Sequence, residues 1–148
     1  MAQRHKAREY ALQMLFQWEI GRQQPERIER GFWQIVGAEK NTRAFADSLF
    51  EGATKSAAEL DAKVASFSEH WRPERFAVID RVILRLAAYE LAAAVTPPKV
   101  VLNEAIDLAK KFSSAEAGPF INGILDALLR SMAKSAPEKP SPEPAASK

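Results

Sequence analysis

An all-α fold is expected for this chain, and three observations carry the expectation. Apolar residues return at helical spacing in segment after segment; no segment alternates apolar and polar residues between turns as a strand does; prolines and glycines stand where one helical stretch gives way to the next. About seven helices joined by short loops follow, in two small bundles packed on each other over about 1–70 and 71–134, with a disordered Pro-rich tail over 135–148.

Ala7, Tyr10, Ala11, Met14, Leu15 and Trp18 form one stripe of a first helix that Gly21 can end. Pro25 suits the first turn of a second, which carries Ile28, Phe32, Ile35 and Val36 and closes at Gly37. Asn41 can cap a third, whose stripe runs through Phe45, Leu49, Ala53, Leu60, Val64 and Phe67; Gly52 and Ser56 mark a bend or a break into two helices. Arg72-Pro73 opens the next segment, with Phe76, Ile79, Val82, Ile83, Leu86, Ala87, Tyr89, Glu90 and Leu91 in strong 3.6-residue rhythm until Thr96-Pro97-Pro98. Val100, Val101, Ala105, Ile106, Leu108, Ala109 and Phe112 follow on another helix. Ser113 to Glu116 reads as a capping box for a last one bearing Phe120, Ile121, Ile124, Leu125, Leu128, Leu129 and Met132.

The chain has 148 residues, 47% of them hydrophobic, enough for one sizeable core or two small ones sharing an interface. The absence of cysteine excludes a disulfide framework, a thiolate metal site and a thiol nucleophile, and fits a reducing compartment. Gln13, Gln17 and Glu19 break the apolar run from Leu12 to Ile20, so no signal peptide is expected, and no segment is apolar enough to span a bilayer. A cytoplasmic protein without membrane attachment follows.

Catalytic constellations are missing. The two histidines, His5 and His70, are far apart in sequence, and no His-Glu-x-x-His, P-loop or Gly-x-Gly-x-x-Gly pattern occurs. Acids fall mostly on outward helix faces. Neither enzymatic activity nor a cofactor nor a bound metal is expected.

Charge is informative through its placement. The net charge of +2 is small, but Arg4, Lys6 and Arg8 all precede the first acid, at a helix mouth whose free amides prefer anions. Arg4 and Arg8 share one face, and Lys6 sits roughly 200° around the axis. Such a cluster is either a solvated end or a seat for an external anion, a phosphate chain above all. In Asp80-Arg81-Val82-Ile83-Leu84-Arg85, Ile83 belongs to the core while Asp80, Arg81 and Leu84 lie toward another side, where an exposed Leu84 beside a charge pair could meet a partner. Asn103 and Asn122 interrupt helices as poor formers, and buried hydrogen bonds between helices are their simplest explanation. Lys110, Lys111, Phe112 and Phe120 place charge beside aromatic rings, a pairing that suits unstacked bases, although phenylalanine at this spacing also suits a core.

Three blocks together resemble the NusB family of bacterial transcription antitermination factors: Arg4-x-Lys6-Ala7-Arg8-Glu9-x-Ala11-Leu12-Gln13-x-Leu15-Phe16-x-Trp18, then Arg81-x-Ile83-Leu84-Arg85-Leu86-Ala87-x-Tyr89-Glu90-Leu91, then Val101 to Phe112 with Phe120-Ile121-Asn122-Gly123-Ile124-Leu125-Asp126. The resemblance spans about residues 3–132. It implies a NusB-like all-α fold of two helical subdomains without enzymatic activity. It also implies an adaptor that pairs with NusE, a small-subunit ribosomal protein, and binds single-stranded boxA RNA. Such an adaptor helps load other Nus factors onto RNA polymerase, which then reads through terminators in ribosomal RNA operons.

By the same resemblance Arg4, His5, Lys6 and Arg8 match the arginine-rich RNA-binding segment, and Asp80, Arg81 and Leu84 match the stretch that meets NusE. Lys111, Phe112, Glu116, Phe120 and Asn122 fall near the RNA around the loop before the last helix. That loop departs from the family pattern at Ala117-Gly118-Pro119, where polar residues and a lysine are common, and His5 and Lys6 replace arginines. Family members occur as monomers or homodimers. Related helical domains also precede RNA cytosine methyltransferase domains, so an accessory RNA-binding domain is the alternative function.

Overall fold

The computed structural model describes residues 2–67 and 77–135, which form seven helices and no strand. They are α1 (Ala2–Gly21), α2 (Pro25–Ile35), α3 (Lys40–Lys55), α4 (Ala57–Ala65), α5 (Val78–Ala93), α6 (Pro98–Phe112) and α7 (Ala117–Ser135). The expected opening at Arg72-Pro73, Phe76, His70 and the tail beyond Ser135 lie outside the described residues.

Helix α5 is the axis of the fold, packing against α1, α3, α4, α6 and α7. Its sequence explains why: nearly every residue from Asp80 to Leu91 is buried, so this helix has no wet face to give up. A single core cluster runs from Ala7 in α1 to Leu128 in α7 and therefore crosses the boundary expected between two subdomains. Fully buried alanines at 7 and 11 in α1 and at 46 and 53 in α3 leave room for the two helices to lie close. Tyr10, Phe32 and Trp33 meet edge to face at centroid separations of 4.9–5.8 Å and tie α2 to α1. The Trp33 indole donates to Asp47 Oδ1 at 2.8 Å, which ties α2 to α3.

Several boundaries differ from the sequence expectation, each for a local reason. α2 stops at Ile35, before Gly37, and α3 starts at Lys40 on an extended Glu39, leaving Asn41 inside the helix. The α3–α4 break falls at Ser56, as the pattern suggests. Gly52 has a different purpose: a Cβ there would lie 2.1 Å from Tyr89 Cζ, so the missing side chain is the space in which the α5 tyrosine sits. α5 ends when Ala94 adopts a left-handed conformation (φ 58°), and Pro98 then begins α6. In the turn that leads into α7 it is Ser114 rather than Ser113 whose hydroxyl accepts from the Ala117 amide, at 3.2 Å.

The two asparagines do not serve as buried interhelical polar groups. Asn103 is exposed and Asn122 half-buried.

Candidate RNA and partner surfaces

The first turn of α1 contains no acid, and the cations at its start divide: Arg4 and Lys6 are exposed while Arg8 is buried. Arg8 is 3% exposed and turned inward, where its Nε and Nη2 donate to the two carboxylate oxygens of Glu90 at 2.8 and 2.9 Å and Nη2 also reaches Thr96 Oγ1 at 3.3 Å. Burial pulls the Arg8 guanidinium down, but the hydrogen bonds and charge of Glu90 outweigh it, and the group stays charged with its pKa raised. This fork-to-fork pair fastens the start of α1 to the end of α5.

Glu9 gathers two lysines and a histidine. Lys6 Nζ donates to it at 3.3 Å, Lys111 Nζ at 3.0 and 3.1 Å, and His5 Nε2 stands 3.1 Å from its Oε2. Burial pushes the Glu9 carboxyl up, while the lysine hydrogen bonds and charges pull it down further, leaving it below the usual carboxylate range. The other ring nitrogen of His5 lies 2.8 Å from Glu104 Oε1 on α6. Arg4 is exposed, has no carboxylate partner among the described residues, and stacks its guanidinium 4.0 Å above the Phe45 ring.

Glu9 thus gathers His5, Lys6 and Lys111 at the α1–α6 seam, while Arg4 lies over Phe45 of α3 on the side of α1 that Arg8 shares. The acids that organise this face, Glu9, Glu90 and Glu104, were not anticipated. Glu9 could have been found, since His5-Glu9 and Lys6-Glu9 are helical neighbours at four and three residues; Glu90 and Glu104 have no local signal.

The second candidate surface needs a correction. Leu84 is 1% exposed and belongs to the core, because α5 is enclosed on all sides, so it offers nothing to a partner directly. Asp80 is buried too, and Arg81 is half-buried, 3.6 Å from Glu19 of α1. Glu19 also pairs with Arg85 at 2.9 Å, and Arg85, 1% exposed, forks onto Asp61 of α4 through two hydrogen bonds of 2.8 Å. Beside Asp80 and Arg81, a groove of about 620 Å³ is lined by Leu12, Phe16, Val78, Ile79 and Phe112, with Phe16 exposed. Phe112 therefore faces this groove, on the α1–α5 side, rather than the mouth of α1. Glu116 is exposed in the α6–α7 connection, Phe120 and Asn122 are half-buried in the first turns of α7, and Ala117 and Gly118 are buried.

These features define a small all-α protein with two candidate faces: an ion-paired basic face at the α1–α6 seam and an apolar groove flanked by charge at the α1–α5 seam. Residues 5–130 match the model of the NusB family. Transcription antitermination protein NusB of Koribacter versatilis is 44% identical over 131 residues, 87% of this chain and 90% of the relative. The structure resembles NusB of T. maritima (TM-score 0.76, 30% identity, 86% of this chain and 90% of that one). It also resembles a chain in the crystal structure of antitermination factors NusB and NusE with double-stranded RNA (TM-score 0.79, 26% identity, 88% and 98%). The chain belongs to the NusB family. Among the described residues no helix is long and apolar enough to cross a membrane.

Proposed function

We propose that this chain is a transcription antitermination adaptor that binds boxA-type single-stranded RNA together with ribosomal protein NusE and helps RNA polymerase read through terminators in ribosomal RNA operons. The observation that carries the reading is its likeness, over nearly all of the matched chain, to a protein captured with NusE and RNA. The adaptor acts by binding and does no chemistry on the RNA.

Each surface takes one task. Arg4, Lys6 and Lys111 are the cations that reach solvent at the basic face, and they meet the phosphate backbone. His5 stands between two carboxylates at the same face and contributes its ring edge. Arg8 acts through Glu90, holding α1 at the angle that presents the other cations. Glu116, Phe120 and Asn122 extend the RNA path over the start of α7, where partly open aromatic and polar groups suit unstacked bases. NusE sits on the α1–α5 groove, with Phe16 and Phe112 as apolar anchors and Asp80 and Arg81 at the edge, while Leu84 serves only as core of α5. The stretch 1–134 acts as one RNA-binding unit in the cytoplasm.

The test is binding of a labelled boxA RNA with and without NusE. Tighter binding in the presence of NusE is expected; equal affinity with and without it overturns the adaptor reading.

A further inference from the structure

The seam between α1 and α6 holds more than ion pairs. We infer that His5, Glu104 and Asp107 form a binding site for one first-row divalent transition-metal ion, with Zn²⁺ as its natural probe. The three side chains come from two helices, and each offers one ligand atom within 4.8 Å of the others. Glu104 and Asp107 are three residues apart on α6, so their carboxylates share one face, and α1 sets the imidazole against that face. Ligand atoms about 2.0–2.2 Å from a common ion stand roughly 3–4 Å apart, so side-chain rotation that draws the atoms together by about 1–2 Å closes the set.

The orientation of the ring supplies an independent argument. His5 Nδ1 faces Glu104 at 2.8 Å, while Nε2 faces Glu9 Oε2 at 3.1 Å. A metal-bound histidine typically donates its remaining N–H to a carboxylate outside the ligand set, which fixes both tautomer and ring angle. Glu9 has that position: it is 3% exposed and pinned in place by Lys6 and Lys111. One imidazole nitrogen with two carboxylate oxygens suits Zn²⁺, Ni²⁺ or Co²⁺, whereas Mg²⁺ and Ca²⁺ favour oxygen alone. Half-exposed His5 and exposed Asp107 leave the ion open to solvent, with water in its remaining positions. Its charge offsets Glu104 and Asp107 and clamps the mouth of α1 to α6, whatever the chain binds there.

The experiment is calorimetric titration of the full, tag-free chain with ZnCl₂ in the absence of RNA, folding being checked by circular dichroism. One equivalent is expected to bind saturably, with His5→Gln and Asp107→Asn each weakening binding at least about tenfold and Glu9→Gln by about 10–100-fold. His70→Gln is expected to bind as wild type does, and MgCl₂ to give no saturable heat. No saturable Zn²⁺ binding, wild-type affinity in either His5→Gln or Asp107→Asn, or loss of binding in His70→Gln overturns the site. Wild-type affinity in Glu9→Gln overturns the orienting role of Glu9.

Discussion

Replacing Glu90 by alanine isolates the contact on which the placement of α1 depends. Arg8 and Glu90 are 3% and 5% exposed and joined by two hydrogen bonds of 2.8 and 2.9 Å, so the variant strands a guanidinium charge left with Thr96 Oγ1 at 3.3 Å, the Phe45 ring at 5.3 Å and the more distant charge of Glu104. Removing one member of a buried pair costs about 3–5 kcal/mol, because the surviving charge stays desolvated. At about 3–5 °C per kcal/mol for a domain of this size, melting should fall by roughly 10–20 °C. Replacing both members with Arg8→Met and Glu90→Leu removes charge and partner together and is expected to cost far less than the sum of the single changes. Urea unfolding of the wild type, both single variants and the double variant closes the cycle. A cost for Glu90→Ala of under about 1 kcal/mol, the scale of an exposed pair, or simple additivity in the cycle would refute the reasoning.

Two further perturbations probe the packing of α3. Glu29 is pushed up to about 8, first by burial and then by Glu51, Asp47 and Glu26 around it. The folded chain therefore keeps a proton that the unfolded chain releases from about 4.5 upward, so stability falls as pH rises through that window and levels off above about 8. Thermal melts from pH 5 to 9 should show Glu29→Gln raising the melting point most at the alkaline end and flattening the slope; parallel curves would contradict this. Gly52→Ala drives a methyl against the Tyr89 ring, 2.1 Å from Cζ, and is expected to cost about 1–3 kcal/mol. In a Tyr89→Ala background the clash is gone and the same change should stabilise by up to about 1 kcal/mol through helix propensity; destabilisation in both backgrounds would show that Tyr89 is not the obstacle.

Sequence periodicity made the helices legible because burial and helix geometry leave the same 3.6-residue trace, clear in the stripe from Ala7 to Trp18 and in the rhythm around Ile83. It failed where burial lost its period. On α5, apolar and charged residues are enclosed alike, so Leu84 read as a surface group although neighbours cover it from every side. Gly52 read as a weak point for a similar reason, since the tyrosine that needs its space lies on another helix. At the basic face, the cations themselves were visible in the order Arg4, Lys6, Arg8, but their partners were not. Arg8 meets Glu90 across 82 residues and His5 meets Glu104 across 99, and no local spacing encodes such distances. The family resemblance proposes the surface, and the fold separates Arg8, held inward, from Arg4, Lys6 and Lys111, which reach solvent.

The salt dependence of boxA binding by the complex with NusE bears most directly on the assignment of RNA contact to these exposed cations. Each phosphate neutralised on a single strand contributes about −0.7 to the slope of log K against log salt concentration. Arg4→Ala with Lys6→Ala should therefore lower affinity and make the slope less negative by about 1.4, with melting temperature and NusE binding unchanged. A slope and affinity equal to wild type would contradict RNA contact at the mouth of α1.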